Sequence, residues 1–317
     1  MVPGYKDVMG NEFKGRAEHS AECFGETRDH WWHRDFLRLM AKRWKLEAVR
    51  DVLDVGCGLG HWGVLLASVM PGDVRVTGVE REPSWVEQAR ARAATLGLDG
   101  RFSYQRGEAE RLPFPDDSFD LTTCQTLLIH LPDPAAAIAE MRRVTRPGGL
   151  VAVAEPNNLS SALLLDSISN RAGVDEIMDL VRFQLTCERG KVALGEGDNS
   201  LGDRVPGLFV AQGLVDVEAH VNDRANPVFP PYAAAAQQAF AEEERDRLAR
   251  RLWIWSEADT RRYFLASGGA EGDFAAHYAR ALASRERIVR GLDDGTYHGI
   301  SGGAFYLVAG RKSRGRV

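Results

Sequence analysis

Five short, strand-like runs alternate with helix-like runs between Asp51 and Glu155. They read DVLDV, VRVTGV, RFSYQ, FDLTTC and LVAVAE, and turn-forming groups such as PDDS and PGG lie between them. Strands that alternate with helices are typical of a parallel sheet built from right-handed crossovers. This alternation therefore predicts an α/β fold for the middle of the chain.

Two further strand-like runs follow after longer helical stretches. LVDVEAHV at 214–221 is the expected sixth strand, and AFYLVAG at 304–310 is the expected seventh. The sequence thus predicts a Rossmann-like, seven-stranded, mostly parallel sheet flanked by helices. Ligands of open α/β sheets bind beyond the carboxyl ends of the strands, so we expect the helical insertions to form a substrate lid. The expected segments are an N-terminal helical lid segment at 1–48, a cofactor-binding core at 49–156, a helical insertion at 157–213, and the last two strands at 214–317 with a helical insertion at about 231–292.

Composition excludes several classes of partner. The chain of 317 residues has 40 Lys and Arg against 45 Asp and Glu, a net charge of −5, which does not favour nucleic acid. No apolar run approaches the roughly 18–20 residues of a membrane span, and the N-terminus lacks the apolar core of a signal peptide. The cysteines are widely separated, which is typical of a reduced, cytoplasmic protein. No cluster of His, Cys and Asp has metal-ligand spacing, so we expect metal-independent chemistry.

The first strand runs into the glycine-rich stretch DVLDVGCGLGHWG, which starts at Asp51. A dinucleotide loop reads G-x-G-x-x-G/A, and its third small residue lets the next helix pack closely on the strand. Counted from Gly56, that third position is His61, whose imidazole opposes such packing. The observed spacing, G-x-G-x-G, indicates a roomier loop beneath a flat ligand.

This loop and four later motifs, together covering roughly residues 50–155, resemble the S-adenosylmethionine site of the class I methyltransferases. The likeness is to the small-molecule subgroup that includes ubiquinone- and menaquinone-type enzymes. The five motifs are VLDVGCGLG, VRVTGVE, GEAERLPFPDDSFD, FDLTTCQTLLIHL and RVTRPGGLVAVAEPN. The resemblance implies that the cofactor is S-adenosylmethionine.

The resemblance also implies a role for each motif residue. Asp54 would help to hold the amino group of the cofactor. Glu80, whose carboxylate ends the second strand and suits two ribose hydroxyls, would bind the ribose. The methionyl part would lie on the loop formed by Gly56, Cys57, Gly58 and Gly60. The adenine would meet Arg81, Trp85, the Glu108 carboxylate and the Ala109 amide, and the floor of the site would be the Cys124 carbonyl and the Gln125 side chain. Trp85 could instead pack on its own helix, and the family more often has Asp where this chain has Glu108.

The sulfonium carries an activated methyl group, so the enzyme must align an acceptor and exclude water. His130, just after the fourth strand, is the first candidate for a general base, since its ordinary pKa suits proton transfer near neutrality. Glu155, at the end of the fifth strand, is the second. Each could instead have a packing or capping role. The tryptophans outside the core motifs either line an acceptor pocket or pack on neighbouring helices, and these are Trp31, Trp32, Trp253 and Trp255.

The sequence therefore predicts an S-adenosylmethionine-dependent methyltransferase that acts on a small molecule, with a bulky, apolar secondary metabolite as the expected acceptor. Within the same fold, the alternatives are other chemistry on this cofactor or modification of a protein side chain. An NAD-linked oxidoreductase and a non-catalytic S-adenosylmethionine sensor are the alternatives of other classes. The sequence leaves the oligomeric state open, with a homodimer as one option.

Overall fold

The computed structural model describes residues 31–223 and 225–315. Most of the predicted N-terminal segment 1–48, including Cys23, lies outside the described residues. The chain divides into two compact units, which we call the sheet unit and the helical unit. The sheet unit contains the described residues of Trp32–Leu164, Lys191–Ala225 and Gly302–Val317, and the helical unit contains those of Leu165–Gly190 and Asn226–Ser301 together with Trp31.

The strands are β1 (Asp51–Val55), β2 (Arg75–Glu80), β3 (Phe102–Arg106), β4 (Phe119–Gln125), β5 (Thr145–Asn157), β6 (Leu214–Val221), β7 (Asn226–Val228), β8 (Gly299–Ser301) and β9 (Ala304–Lys312). Seven of them form one sheet in the order β3-β2-β1-β4-β5-β9-β6. The pairs among β1 to β5 are parallel, whereas β9 is antiparallel to both β5 and β6. This arrangement confirms the predicted Rossmann-like, mostly parallel sheet.

The helices are α1 (Arg34–Trp44), α2 (His61–Ala67), α3 (Pro83–Thr95), α4 (Pro134–Val144), α5 (Val174–Ala193), α6 (Val205–Ala211), α7 (Ala235–Ala249), α8 (Glu257–Ala266) and α9 (Glu271–Asp293). Proline at the first helical position begins α3 and α4, where a missing amide hydrogen costs nothing. The carboxylate of Asp133 caps α4 by accepting from the Ala136 amide at 3.1 Å. None of the helices in these described ranges is long and apolar enough to cross a bilayer.

The core of the sheet unit lies against the β-sheet and includes side chains from β1, β4, β5, α4 and α6. A second group of packed side chains includes Trp32, whose role the sequence left open. Trp32 is 5% exposed, and its ring lies 5.4 Å from that of Trp62 and 5.9 Å from that of Phe305. The Trp62 indole donates to the Thr123 hydroxyl at 2.8 Å. These contacts favour packing over the acceptor pocket as the role of Trp32.

The helical unit has its own aromatic core. Phe183 of α5 is 2% exposed and stacks on Trp253 with ring centroids 4.9 Å apart. Trp255 meets Tyr263 edge to face at 5.2 Å. Gly190 of α5 is required for close packing, because a Cβ there would overlap the Tyr263 carbonyl. Trp253 and Trp255 therefore stabilise this core.

The unit boundaries differ from the predicted segments. Helix α1 belongs to the sheet unit, and the helical unit starts at Leu165 and includes the two-stranded pairing of β7 with β8. Sequence reasoning missed β7 and β8, which are three residues long each. The substrate lid stays a prediction.

Candidate cofactor site

The loop between β1 and α2 has three glycines in left-handed conformations. Gly56, Gly58 and Gly60 have φ values of 62°, 51° and 75°, which side-chain-bearing residues rarely adopt. The Cys57 amide donates to the Val79 carbonyl at 3.0 Å, and the Gly60 amide donates to the Cys57 carbonyl at 2.8 Å. The first bond fixes the loop to the end of β2, and the second closes a turn within the loop.

The surroundings of the three glycines differ. A Cβ on Gly56 would lie 2.5 Å from one methyl carbon of Leu127, and one on Gly60 would overlap the Tyr104 hydroxyl. Among the described residues, a Cβ on Gly58 would meet only Trp85, at 3.9 Å. Within this part of the chain, the space beside Gly58 is therefore open on the side where the predicted ligand would lie, and Trp85 borders it. Trp85 is 6% exposed, so the structure places it both on its helix and beside the loop.

Asp54, at the carboxyl end of β1, lies beneath this loop and is 1% exposed. Its Oδ2 accepts a hydrogen bond from the Gly63 amide at 3.0 Å. Its Oδ1 is buried and has no hydrogen-bond partner within the part of the chain that the structure describes. Burial, with a smaller contribution from the charge of Glu80, raises the pKa of the Asp54 carboxyl to about 7. A buried, unsatisfied acceptor of this kind suits a cationic donor such as an ammonium group.

Glu80 ends β2 and is 5% exposed. Its Oε2 accepts from the Gly58 amide at 3.1 Å, and its Oε1 accepts from the amides of Arg81 and Glu82 at 2.8 and 3.2 Å. A carboxylate offers about four acceptor positions, so these three bonds leave capacity for one more donor. Glu80 therefore holds the glycine loop in place, a role that sequence reasoning did not predict, and its contact with a ribose stays a prediction.

The predicted adenine-side residues lie on two segments that follow β2 and β3. The Gly107 amide donates to the Glu80 carbonyl at 3.1 Å, which anchors the turn that carries Glu108 and Ala109. Glu108 and Arg81 are exposed, whereas Ala109 is 8% exposed. The structure brings Glu80 into direct contact with the loop, places Trp85 beside Gly58, and places Asp54 against the Gly63 amide of α2. The turn that carries Glu108 is joined to the end of β2 by the hydrogen bond from the Gly107 amide to the Glu80 carbonyl.

Glu155 has a different environment from the one expected of a general base. It is completely buried, and its Oε1 accepts from the amides of Leu127 and Leu128, both at 2.9 Å. The Cys124 thiol lies 3.7 Å from the same oxygen. Burial raises the pKa of the Glu155 carboxyl to about 7. Because its acceptors are used by the backbone after β4, Glu155 is placed to position that segment, and its contacts do not favour a catalytic role.

His130 ends the one-turn helix Leu128–His130 that Glu155 caps, and it is half-buried. Gln125, at the end of β4, is also half-buried. The Lys191 ammonium donates to the Ile129 carbonyl at 2.9 Å and closes the other end of this turn. Lys191 is only 4% exposed, and no motif in the sequence indicated it. The segment that carries His130 is thus held at both ends.

The region that contains this site matches a known family. A family model described as a methyltransferase domain covers residues 52–149. Methyltransferase GfsG of Streptomyces halstedii is 40% identical over 114 residues, which are 36% of this chain and 40% of that protein. The 27-O-demethylrifamycin SV methyltransferase of Amycolatopsis mediterranei is 33% identical over 144 residues, or 44% of this chain and 52% of that protein. Residues 52–149 are a class I S-adenosylmethionine-dependent methyltransferase domain.

This methyltransferase domain accounts for about a third of the chain, and the chain spans about half the length, or less, of these two relatives. Among solved structures, the chain is similar to a phosphoethanolamine N-methyltransferase 2 of Haemonchus contortus in complex with S-adenosyl-L-methionine. It is 16% identical, with a TM-score of 0.46 over 88% of this chain and 52% of that chain. As a class I methyltransferase domain, residues 52–149 have S-adenosylmethionine as their cofactor.

The residues present fit this cofactor. The unsatisfied Asp54 Oδ1 can accept from the cofactor's ammonium, and the open space over Gly58 lies along the backbone predicted to line the methionyl part. Within the described residues, no group of three or more His, Cys, Asp or Glu is arranged to hold a metal ion.

Proposed function

We propose that this protein transfers the methyl group of S-adenosylmethionine to a small organic acceptor. The observation that carries the proposal is the buried, unsatisfied Asp54 Oδ1 beneath a left-handed glycine loop within a methyltransferase domain. The cofactor supplies a methyl group on a positively charged sulfur. The chain's own residues bind and orient the cofactor. Asp54 accepts from its ammonium group, Glu80 accepts from a ribose hydroxyl, and the Trp85 ring packs against the adenosyl side.

The remaining predicted contacts complete the cofactor site. The Glu108 carboxylate accepts from the exocyclic amine of adenine, and the Ala109 amide donates to a ring nitrogen. The Cys124 carbonyl and the Gln125 side chain form the floor. Their positions at or just after the carboxyl ends of β3 and β4 support these roles, because ligands of such sheets gather at that edge.

For the acceptor, we propose a bulky, largely apolar metabolite. Two relatives support this class by their names, a 27-O-demethylrifamycin SV methyltransferase and a demethylmenaquinone methyltransferase of Geobacillus kaustophilus, the latter 32% identical over 124 residues that are 39% of this chain and 51% of that protein. His130 is the proposed general base for an acceptor that must lose a proton. Its support is its place on a fixed turn directly after β4.

Calorimetry and a labelling assay test the proposal together. We expect S-adenosylhomocysteine to bind with a Kd well below about 1 mM, and NAD to bind more weakly. Incubation with S-adenosylmethionine labelled on the methyl group should then label an apolar fraction of a small-metabolite extract. Binding of NAD without S-adenosylhomocysteine would contradict the cofactor assignment. Tight binding with no labelling of any fraction would favour a sensor.

A further inference from the structure

A pocket of about 650 Å³ lies at the opposite edge of the sheet from the glycine loop. It is lined by residues just before β1, at the start of β4 and β5, and at the end of β9. The amino ends of parallel strands share one edge, and the antiparallel β9 finishes there. A strand of five residues such as β1 spans roughly 17 Å, so this amino-edge pocket is separate from the cofactor site.

The lining of the amino-edge pocket is strongly cationic. Five of its side chains are cationic and two are carboxylates, although the whole chain carries a net charge of −5. Positive charge concentrated in a concavity attracts anions and raises their local concentration. The cationic residues are Lys45, Arg146, Arg311, Lys312 and Arg314, and the acidic residues are Asp120 and Asp216.

Two of the five cations are neutralised by carboxylates. Arg146 pairs with Asp120 at 2.6 Å and with Asp51 at 3.1 Å. Lys312 pairs with Asp117 at 2.6 Å. These ion pairs use Asp120, one of the two acidic residues of the pocket, and leave Asp216 as the other.

The other three cations have no carboxylate within ion-pair distance in the ranges that the structure describes. Arg311 donates only to backbone carbonyls, those of Gly148 at 3.1 Å and Trp44 at 3.0 Å. The Arg314 side chain lies against Gly148, since a Cβ added to Gly148 would be 2.6 Å from the Arg314 Nε. Lys45 and Arg314 are exposed. Three uncompensated cations therefore border one pocket.

Apolar surface forms the rest of the wall. It comes from Trp44, Ala48, Val49, Pro147, Leu150 and Val215. A cavity of this volume, with apolar walls and a few charged groups, has the character of a small-molecule site. We propose that the amino-edge pocket binds an organic polyanion, a phosphate-bearing molecule with an apolar body and about the size of a nucleoside diphosphate.

Titration calorimetry at low ionic strength tests this proposal with GDP, inorganic pyrophosphate and guanosine as probes. Saturating S-adenosylhomocysteine is present, which keeps the nucleoside out of the glycine loop. We expect GDP to bind, pyrophosphate to bind more weakly, and guanosine to bind weakest because it lacks the anionic group. High salt should weaken GDP binding through screening.

Single variants locate the binding site. Arg314→Gln and Lys45→Gln should each weaken GDP binding by about tenfold or more, since each removes a charge-assisted hydrogen bond. Arg34→Gln, at an exposed position of α1 outside the pocket, removes the same charge and should leave the affinity unchanged. The proposal is overturned if the wild type does not bind GDP at about 1 mM, if both pocket variants retain its affinity, or if Arg34→Gln weakens binding equally.

Discussion

Replacing Asp54 with Asn should change the stability and the cofactor affinity of this protein in opposite directions. Burial, opposed in part by the Gly63 amide and assisted by the charge of Glu80, raises the pKa of the Asp54 carboxyl from 3.8 to about 7. The folded protein therefore binds this proton more tightly than the unfolded chain does. As a result, Asp54 lowers the free energy of unfolding as the pH rises from about 4 to about 7. Above pH 7 the full loss corresponds to about 4 kcal/mol.

Because an asparagine at position 54 cannot ionise, the free energy of unfolding of the variant does not fall in this way as the pH rises. Its amide nitrogen would lie buried where Oδ1 has no partner, which costs about 1–3 kcal/mol at every pH. We therefore expect Asp54→Asn to be less stable than the wild type at pH 4 and at least as stable at pH 8. Urea unfolding across this range measures the difference, and Asp99→Asn, which removes an exposed carboxylate, is the control. A difference between wild type and Asp54→Asn that does not change with pH would refute the reasoning.

Cofactor binding should respond in the other direction. In the proposed site, the ionised Asp54 accepts from the ammonium of S-adenosylhomocysteine, and the uncharged amide cannot replace this interaction. Asp54→Asn should bind about tenfold to a hundredfold more weakly at pH 8. Wild-type affinity should fall as the pH drops below 7 because the carboxyl takes up a proton, whereas the affinity of the variant should stay flat. Calorimetry at several pH values checks both trends.

Three further substitutions test other parts of the molecule. Glu80→Gln keeps one acceptor for the Gly58 amide but loses the charge, so S-adenosylhomocysteine should bind about 2 kcal/mol more weakly by calorimetry. His130→Ala should lower kcat and flatten its pH dependence near neutrality in the methyl-transfer assay, and an unchanged profile would assign His130 to packing. Phe183→Ala should cost about 3–5 kcal/mol in urea unfolding, and Leu185→Ala on the more exposed face of the same helix should cost far less.

The sheet could be predicted closely from the sequence because its signals are local. The runs predicted at 214–221 and 304–310 lie within or match β6 and β9, and the five earlier runs became β1 to β5. The order of the strands in the sheet was not predicted from the sequence. The helical unit could not be predicted in the same way. Its core joins Phe183 to Trp253, 70 residues apart in sequence, and helical periodicity gives no information about which distant helices pack together.

Residue roles at the strand ends were only partly predictable. Glu80 is the last residue of β2, and Glu155, expected at the end of the fifth strand, lies two residues before the end of β5. Nothing in the sequence distinguishes the surroundings of these two carboxylates. In the structure, one carboxylate fixes the glycine loop, and the other fixes the backbone after β4. Such contacts come from segments more than 20 residues away, so only the folded chain separates a binding role from a positioning role.

The structure gives a different physical reason why the glycine loop does not suit a dinucleotide. Sequence reasoning used His61 as the residue that prevents close packing of α2 on β1. The residue that governs this approach is Gly63, where a Cβ would lie 2.9 Å from Asp54 Oδ2, so the helix does pack closely and His61 excludes nothing. The charge of the site is what opposes a dinucleotide. Asp54 and Glu80 are buried under the loop. The charge of Glu80 opposes the ionisation of Asp54, and both carboxylates oppose the approach of another anion. A pyrophosphate would bring two more negative charges there, whereas a ligand with an ammonium and a sulfonium would relieve the repulsion.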